Sequence, residues 1–249
     1  MVMPIELVAS FRISASIIED EPSSHLDLLK RLGQMGYDTE YVGYAGNLED
    51  LEQAAERLDY GEVVGTLVGG KVAGFVWRHD RPEATKRVIE VKSHPGQARP
   101  ALFAIVVEAV DIASHVDVAH LGGHDLDAME GAGFFQLVVT ESIEKNLPPE
   151  FVGRDEEKRI IQIFVPGKEA PLGELLARVH PVGLKALGGT SGNLTGQAPS
   201  TDRLGAAITS LNLGMYHIDV DGSPDLKQRG SYAIHRIVGG ERSVIRPKK

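Results

Sequence analysis

The chain has 249 residues, of which 42% are hydrophobic and 24% charged, enough for a real core in one large domain or two small ones. It carries a net charge of −9 and no cysteine, which excludes disulfides and thiolate chemistry. The acidic balance also argues against a broad nucleic-acid-binding surface, because phosphate neutralisation needs clustered Lys and Arg. The N-terminus shows no basic region followed by a long apolar run, and no apolar stretch approaches the ~18 residues of a membrane helix, so a cytoplasmic protein without a signal peptide is expected.

Residues 1–49 read as an N-terminal extension of unknown role and 50–249 as the main domain. Ile5 to Ile18 has the β-branched pattern of a strand or two. After an acidic turn, Ser23 or Ser24 is positioned to cap a helix over His25–Gln34, with Leu26, Leu29 and Leu32 near one face. Tyr37–Tyr44 reads as a strand. No chemical constellation falls in this stretch, so a structural or partner-binding role is expected for it.

Asn47 caps a helix whose apolar stripe is Leu48, Leu51, Ala54, Ala55 and Leu58. Val63–Val68, the Gly69-Gly70 turn and Lys71–Trp77 read as a hairpin, followed by a helix from Pro82 to Val91. Lys92 to Pro100 is a polar loop held extended by two prolines. Leu102–Val107 reads as a strand or as the start of a helix reaching Ala113. His115, His120 and His124 raise a metal site, but Gly122-Gly123 breaks any shared helical face, and solvated histidines are expected instead. Phe134–Val139 reads as a strand, 140–158 as a polar loop, Arg159–Val165 as a strand and Pro171–Val179 as a helix. Beyond it, a helix over Asp202–Leu211, strands at Met215–Val220 and Gly230–Val238, and a Gly239-Gly240 hairpin into Ser243–Arg246 complete the pattern. Helices and hairpins in this mixture give an α/β (α+β) class with a mixed sheet. The basic tail from Arg242 to Lys249 reads as solvated.

The most informative stretch is Leu187-Gly-Gly-Thr190-Ser191-Gly-Asn193-Leu-Thr195-Gly196. Glycines let backbone N–H groups approach a ligand, and the hydroxyls and the amide add donors and acceptors. Such a run can form a nest of donors for a phosphate or carboxylate, or a plain turn that bonds to itself.

In chain order, the helix Leu51–Leu58, the strand entry Tyr60-Gly61-Glu-Val-Val64, the loop Glu90-Val-Lys92-Ser-His94-Pro95, the run Thr190-Ser191-Gly-Asn193-Leu-Thr-Gly196, the turn Asp221-Gly222, the strand Ser231–Ile234 and the end Ile245-Arg246-Pro247 resemble the YrdC-like family, the threonylcarbamoyl-AMP synthases and their relatives. The resemblance covers about residues 50–249. It implies a twisted mixed sheet of YrdC-like type with a concave, positively lined cavity. In the family that cavity takes ATP, threonine and bicarbonate with Mg²⁺ and makes threonylcarbamoyl-AMP for tRNA modification, while relatives pass through carbamoyl-AMP. Carried over, Lys92 faces the nucleotide phosphates with His94 beside it. Thr190, Ser191 and Asn193 hold the nucleotide or the adenylate, and Ser231 and Arg246 border the pocket.

The chain departs from the family where the acceptor binds. The Lys-x-Arg pair stands as Lys92-Ser93-His94, and a neutral imidazole lacks the guanidinium fork. The Thr-Asp-Thr strand stands as Gly69-Gly70-Lys71, and Val-Arg-Val-Pro as Ile163-Phe164-Val165-Pro166. Lys71 and Arg99 are then the candidates for reading an acceptor anion. Two functions follow: a nucleotidyltransferase or carbamoyltransferase that forms an acyl- or carbamoyl-adenylate from ATP on a different small-molecule acceptor, or a non-catalytic nucleotide- or RNA-binding module with a possible protein partner. Neither involves a membrane.

Overall fold

Side-chain caps and apolar stripes set the helices. A computed structural model describes residues 21–69, 72–93, 102–193, 200–220 and 232–247. Helix α1 spans His25–Gln34, and it is Ser24 whose side chain accepts from the Asp27 N–H. Helix α2 spans Leu48–Asp59, capped by Asn47, and buries Leu51, Ala54, Ala55 and Leu58. Helix α3, Pro82–Lys92, begins on a proline whose missing N–H costs nothing there. A short α4 at Val110–Ala113, α5 at Pro171–Arg178 and α6 at Arg203–Asn212 complete the set.

Among the described residues, eleven strands form one mixed sheet. They are β1 Val42–Tyr44, β2 Val64–Val68, β3 Val72–Arg78, β4 Phe103–Val106, β5 Phe134–Val138 and β6 Val152–Asp155. The rest are β7 Lys158–Phe164, β8 Ala186–Ser191, β9 Tyr216–Asp219, β10 Ile234–Val238 and β11 Glu241–Arg246. Their order is β1-β9-β2-β3-β8-β4-β7-β5-β10-β11, with β6 paired to β7 off that path. One face carries Val64, Val76, Ile105, Leu187 and Phe164 under α2 and α5. On the other face, Phe75, Trp77, Ala104 and Ile163 pack with Val88 of α3. Helix α6 also lies on that side: a Cβ added to Gly65 of β2 would stand 1.9 Å from Ser210 Oγ, so only glycine permits the approach.

The structure corrects several expectations. Residues 42–44 form β1 and pair in parallel with β9, and α1 packs on α6. The strand expected over Tyr37–Tyr44 is half taken by a 3-10 turn at Thr39–Tyr41, started by the Asp38 carboxylate accepting from Glu40 N–H. The polar stretch 140–158 contains β6, whose residues are all half-buried or exposed and so gave no apolar signal. Leu102–Ala113 is neither one strand nor one helix, but β4 followed separately by α4. The strand reading within Ile5–Ile18, the Asp221-Gly222 turn and the first two residues of the strand read over Gly230–Val238 fall outside the described residues. His115 pairs with the Ser142 hydroxyl and His120 accepts from Gly239 N–H.

The edge of the sheet is fastened by a buried ionic cluster. Arg203, at the start of α6, donates through Nε to Asp219 Oδ1 at 2.8 Å and through Nη2 to Oδ2, and through Nη1 to Pro22 O at 2.9 Å. His25 Nδ1 lies 2.9 Å from Asp219 Oδ2, and the His25 ring stacks on Tyr44. Two residues before Asp219, His217 meets the Ser210 hydroxyl at 3.1 Å, and burial pushes its pKa down to about 4.

That depression fixes the sign of the acid response. The folded pKa of His217 lies below its unfolded value, so its contribution is complete above about pH 6.5 and is lost as the pH falls toward 4. Urea denaturation should show a loss on the order of 2 kcal/mol between pH 7.5 and pH 5. The slope should flatten in His217→Gln, and a variant with the wild-type slope would clear His217 of the effect.

Candidate functional site

The Gly-rich run is only partly a loop. Its first residues are β8, in the middle of the sheet, paired to β3 on one side and β4 on the other. Their N–H groups are therefore committed to ladders, and the expected nest of donors does not form over Leu187–Ser191. The two glycines have a packing reason instead. A Cβ on Gly188 would meet Phe151 and Trp77 at 2.6 and 2.7 Å, and one on Gly189 would meet Phe103 at 2.3 Å. Aromatic rings lie flat on this strand from both sides. Residues 194–196 lie outside the described residues.

The strand delivers Ser191 to Lys92. Lys92 is the last residue of α3, only 3% exposed, and its ammonium donates to the Ser191 carbonyl and to Ser191 Oγ, the latter at 3.1 Å. Burial pulls the Lys92 pKa down to about 8. Two expected site residues that are 99 positions apart in sequence are thus in direct contact. Asn193 follows two residues later, half-buried. Thr190 is fully buried and, by strand alternation, points to the opposite face from Ser191.

Arg246 ends β11, and its guanidinium lies 3.5 Å from the Tyr232 carbonyl, its pKa lowered by burial. Tyr232 donates its hydroxyl to Gly69 O at 2.9 Å. Gly69 sits at φ +58, and a Cβ there would run into the phenol. The contact joins the residue after β2 to the segment leading into β10, strands far apart in the sheet order. Between them stand Phe103, Phe134, Phe164 and Tyr232, with ring centroids 4.6 to 5.7 Å apart. Phe103 contacts Gly189, which shares the face of Ser191. An aromatic wall therefore runs from the Lys92–Ser191 corner toward Arg246. Sequence reasoning missed this aromatic cluster; its signal was an aromatic at inward positions of several strands. Lys71, His94, Arg99 and Ser231 lie outside the described residues.

No protein-family model and no curated protein matches the sequence. Solved structures do match in shape. A variant of P. abyssi Sua5 aligns with TM-score 0.64 at 15% identity over 84% of this chain and 60% of its own. The same protein complexed with L-threonine gives 0.60 at 15%, over 80% and 54%. E. coli YciO gives 0.59 at 13%, over 83% and 93%. Full-length HypF in a phosphate- and nucleotide-bound form gives 0.55 at 13%, over 80% and 29%. The chain thus spans about 60% of the Sua5 it matches first and under a third of HypF. No helix among the described residues is long and apolar enough to cross a membrane.

The Lys92 shift has a measurable consequence. Its folded pKa of about 8 lies below the unfolded value, so the cost of holding the charge is relieved as the pH rises above 8. Wild type should gain about 1 kcal/mol of stability between pH 7 and pH 9. Lys92→Met, which keeps the volume and drops the charge, should lose that gain in guanidinium titrations at the two pH values. An unchanged gain would mean that Lys92 titrates normally.

Proposed function

Given the YrdC-like fold of the chain, we propose that it binds a nucleoside triphosphate with the phosphates against Lys92 and Ser191 and forms an acyl- or carbamoyl-adenylate on an acceptor other than threonine. The observation that carries this reading is the buried Lys92 ammonium held on Ser191 at the end of β8. A buried cation is costly, and an anion beside it recovers that cost, so such a group marks a candidate binding site. Lysine suits phosphate as a point charge.

In the reaction, a carboxylate or carbamate oxygen of the acceptor attacks the α-phosphorus. The bond to the bridging oxygen breaks, and pyrophosphate leaves with the electron pair. Such transfers need mainly positioning and charge stabilisation, which Lys92 and Arg246 supply at the two ends of the aromatic wall. Asn193, His94 and Ser231 complete the nucleotide side in this reading, Thr190 is left out because it lies buried on the opposite face of β8, and Lys71 and Arg99 read the acceptor's charge.

Among the described residues no group of three or more His, Asp or Glu side chains is arranged to hold a metal ion. A Mg²⁺ carried by the triphosphate itself needs few protein ligands, and no step is assigned to it here.

Calorimetric titration with ATP, Mg²⁺ and bicarbonate should show saturable binding by wild type. A charge-assisted contact is worth about 1.5–3 kcal/mol, so Lys92→Met should bind roughly 10- to 100-fold more weakly. Binding should also weaken as the pH rises through about 8, where Lys92 loses its proton. Pyrophosphate release with a panel of carboxylates and amines then identifies the acceptor. Binding without release would assign a nucleotide-binding module, and no binding at millimolar ATP would overturn the nucleotide reading.

A further inference from the structure

A cavity of about 360 Å³ opens at the other end of the sheet, walled by Val107, Glu108, Asp111, Lys168, Gly173, Ala177 and Lys185. Strands β4 and β7 are parallel, and both finish here: Glu108 and Asp111 follow β4, and Lys168 follows β7. Lys185 comes from the residue before β8, which runs antiparallel to β4. The crevice outside the carboxyl ends of parallel strands is where open α/β sheets receive ligands. Ser191 is at the far end of β8, six residues from Lys185 and about 20 Å away at strand rise, so the cavity is separate from the Lys92 corner.

Charge in this cavity is arranged in opposed pairs. Lys168 and Glu108 bind each other across the rim. Asp111 and Lys185 form a second acid and base pair that shows no direct ion pair. One Asp111 oxygen accepts from Glu108 N–H at 3.2 Å. Burial raises the Asp111 pKa, although the Lys185 charge and a backbone N–H pull it down, so the carboxylate lacks a close cation. Lys185 remains exposed. The floor is smooth because α5 presents Gly173 and Ala177, one turn apart. A Cβ on Gly173 would stand 1.9 Å from Gly167 O, so the helix comes down on the β7–α5 connection only with glycine there.

We propose that this cavity is a second ligand site, for a small zwitterion with the ammonium and carboxylate of a free amino acid, the ammonium on Asp111 and the carboxylate on Lys185. The volume is at the small end of ligand pockets, which suits an amino acid and not a nucleotide. Neither a simple anion nor a simple cation satisfies both members of the pair. The site differs from the acceptor end of the nucleotide site in place and in wall chemistry, because it has no aromatic side.

The test is calorimetry on the full chain with glycine, L-threonine, L-glutamine and L-lysine, and with acetate and methylamine as single-charge controls. The expected result is saturable binding of at least one amino acid, and none of either control at about 10 mM. Binding should weaken on the order of 10-fold in Asp111→Asn and in Lys185→Gln, and should be unchanged in Lys92→Met. Neither substituted side chain is fully buried, so both variants should melt as wild type does. Amino-acid binding that survives both substitutions, or that disappears in Lys92→Met, would belong elsewhere and overturn the proposal. Absence of amino-acid binding in wild type, or equal binding of acetate, would overturn it as well.

Discussion

Arg203 and Asp219 meet in a two-pronged ion pair closed off from water, and one edge of the sheet depends on it. A guanidinium fork and a carboxylate match geometrically, which offsets part of the cost of burying both charges. The pair also reaches outward. Arg203 Nη1 holds the Pro22 carbonyl, its N–H donates to Glu21, and Asp219 takes His25. Helix α6, strand β9 and the segment leading into α1 therefore share one buried charge centre. Removing either partner leaves a buried charge without its counterpart, which costs about 3–5 kcal/mol in comparable sites. Stretches far apart in sequence are held by the same two side chains.

At the opposite reach of the sheet the cohesive force is apolar. Phe103, Phe134, Phe164 and Tyr232 interlock, and the Tyr232 hydroxyl finds Gly69 O so that the phenol is not buried at a loss. The positive charge at the candidate nucleotide site stands at the margins of this wall, in Lys92 and Arg246.

Much of this was legible in the sequence because the signals were local. Asn47, Ser24 and Asp202 bond the first N–H groups of their helices, and the stripe Leu51, Ala54, Ala55, Leu58 faces the core as its spacing requires. Only the family resemblance put Lys92 and Ser191 on one pocket, and spacing gave no sign of their contact, since 99 residues separate them. What stayed hidden was non-local. Gly188 and Gly189 look like loop residues until Trp77 and Phe103 are placed against them. Strand β6 carries no apolar alternation because it pairs outside the main strand order. Arg203 and Asp219 are ordinary surface types until folding closes them in. Asp111 and Lys185 have no shared motif, and only the antiparallel pairing of β4 with β8 brings them together.

The position of β8 also sets the order in which the protein can be assembled. It lies between β3 and β4, yet it is made long after both. Until residues 186–191 arrive, the hairpin of β2 and β3 and the group of β4, β5 and β7 have no strand to join them, and each has an edge open to water and to other chains. Pairings of this sequence separation fold slowly because loop closure comes before the reward. A chain emerging from synthesis therefore carries two partial sheets for much of its length and becomes one molecule only when the glycine pair slides between Trp77 and Phe103. The strand that joins these two groups ends in Ser191, so the Lys92 corner forms only when they are joined.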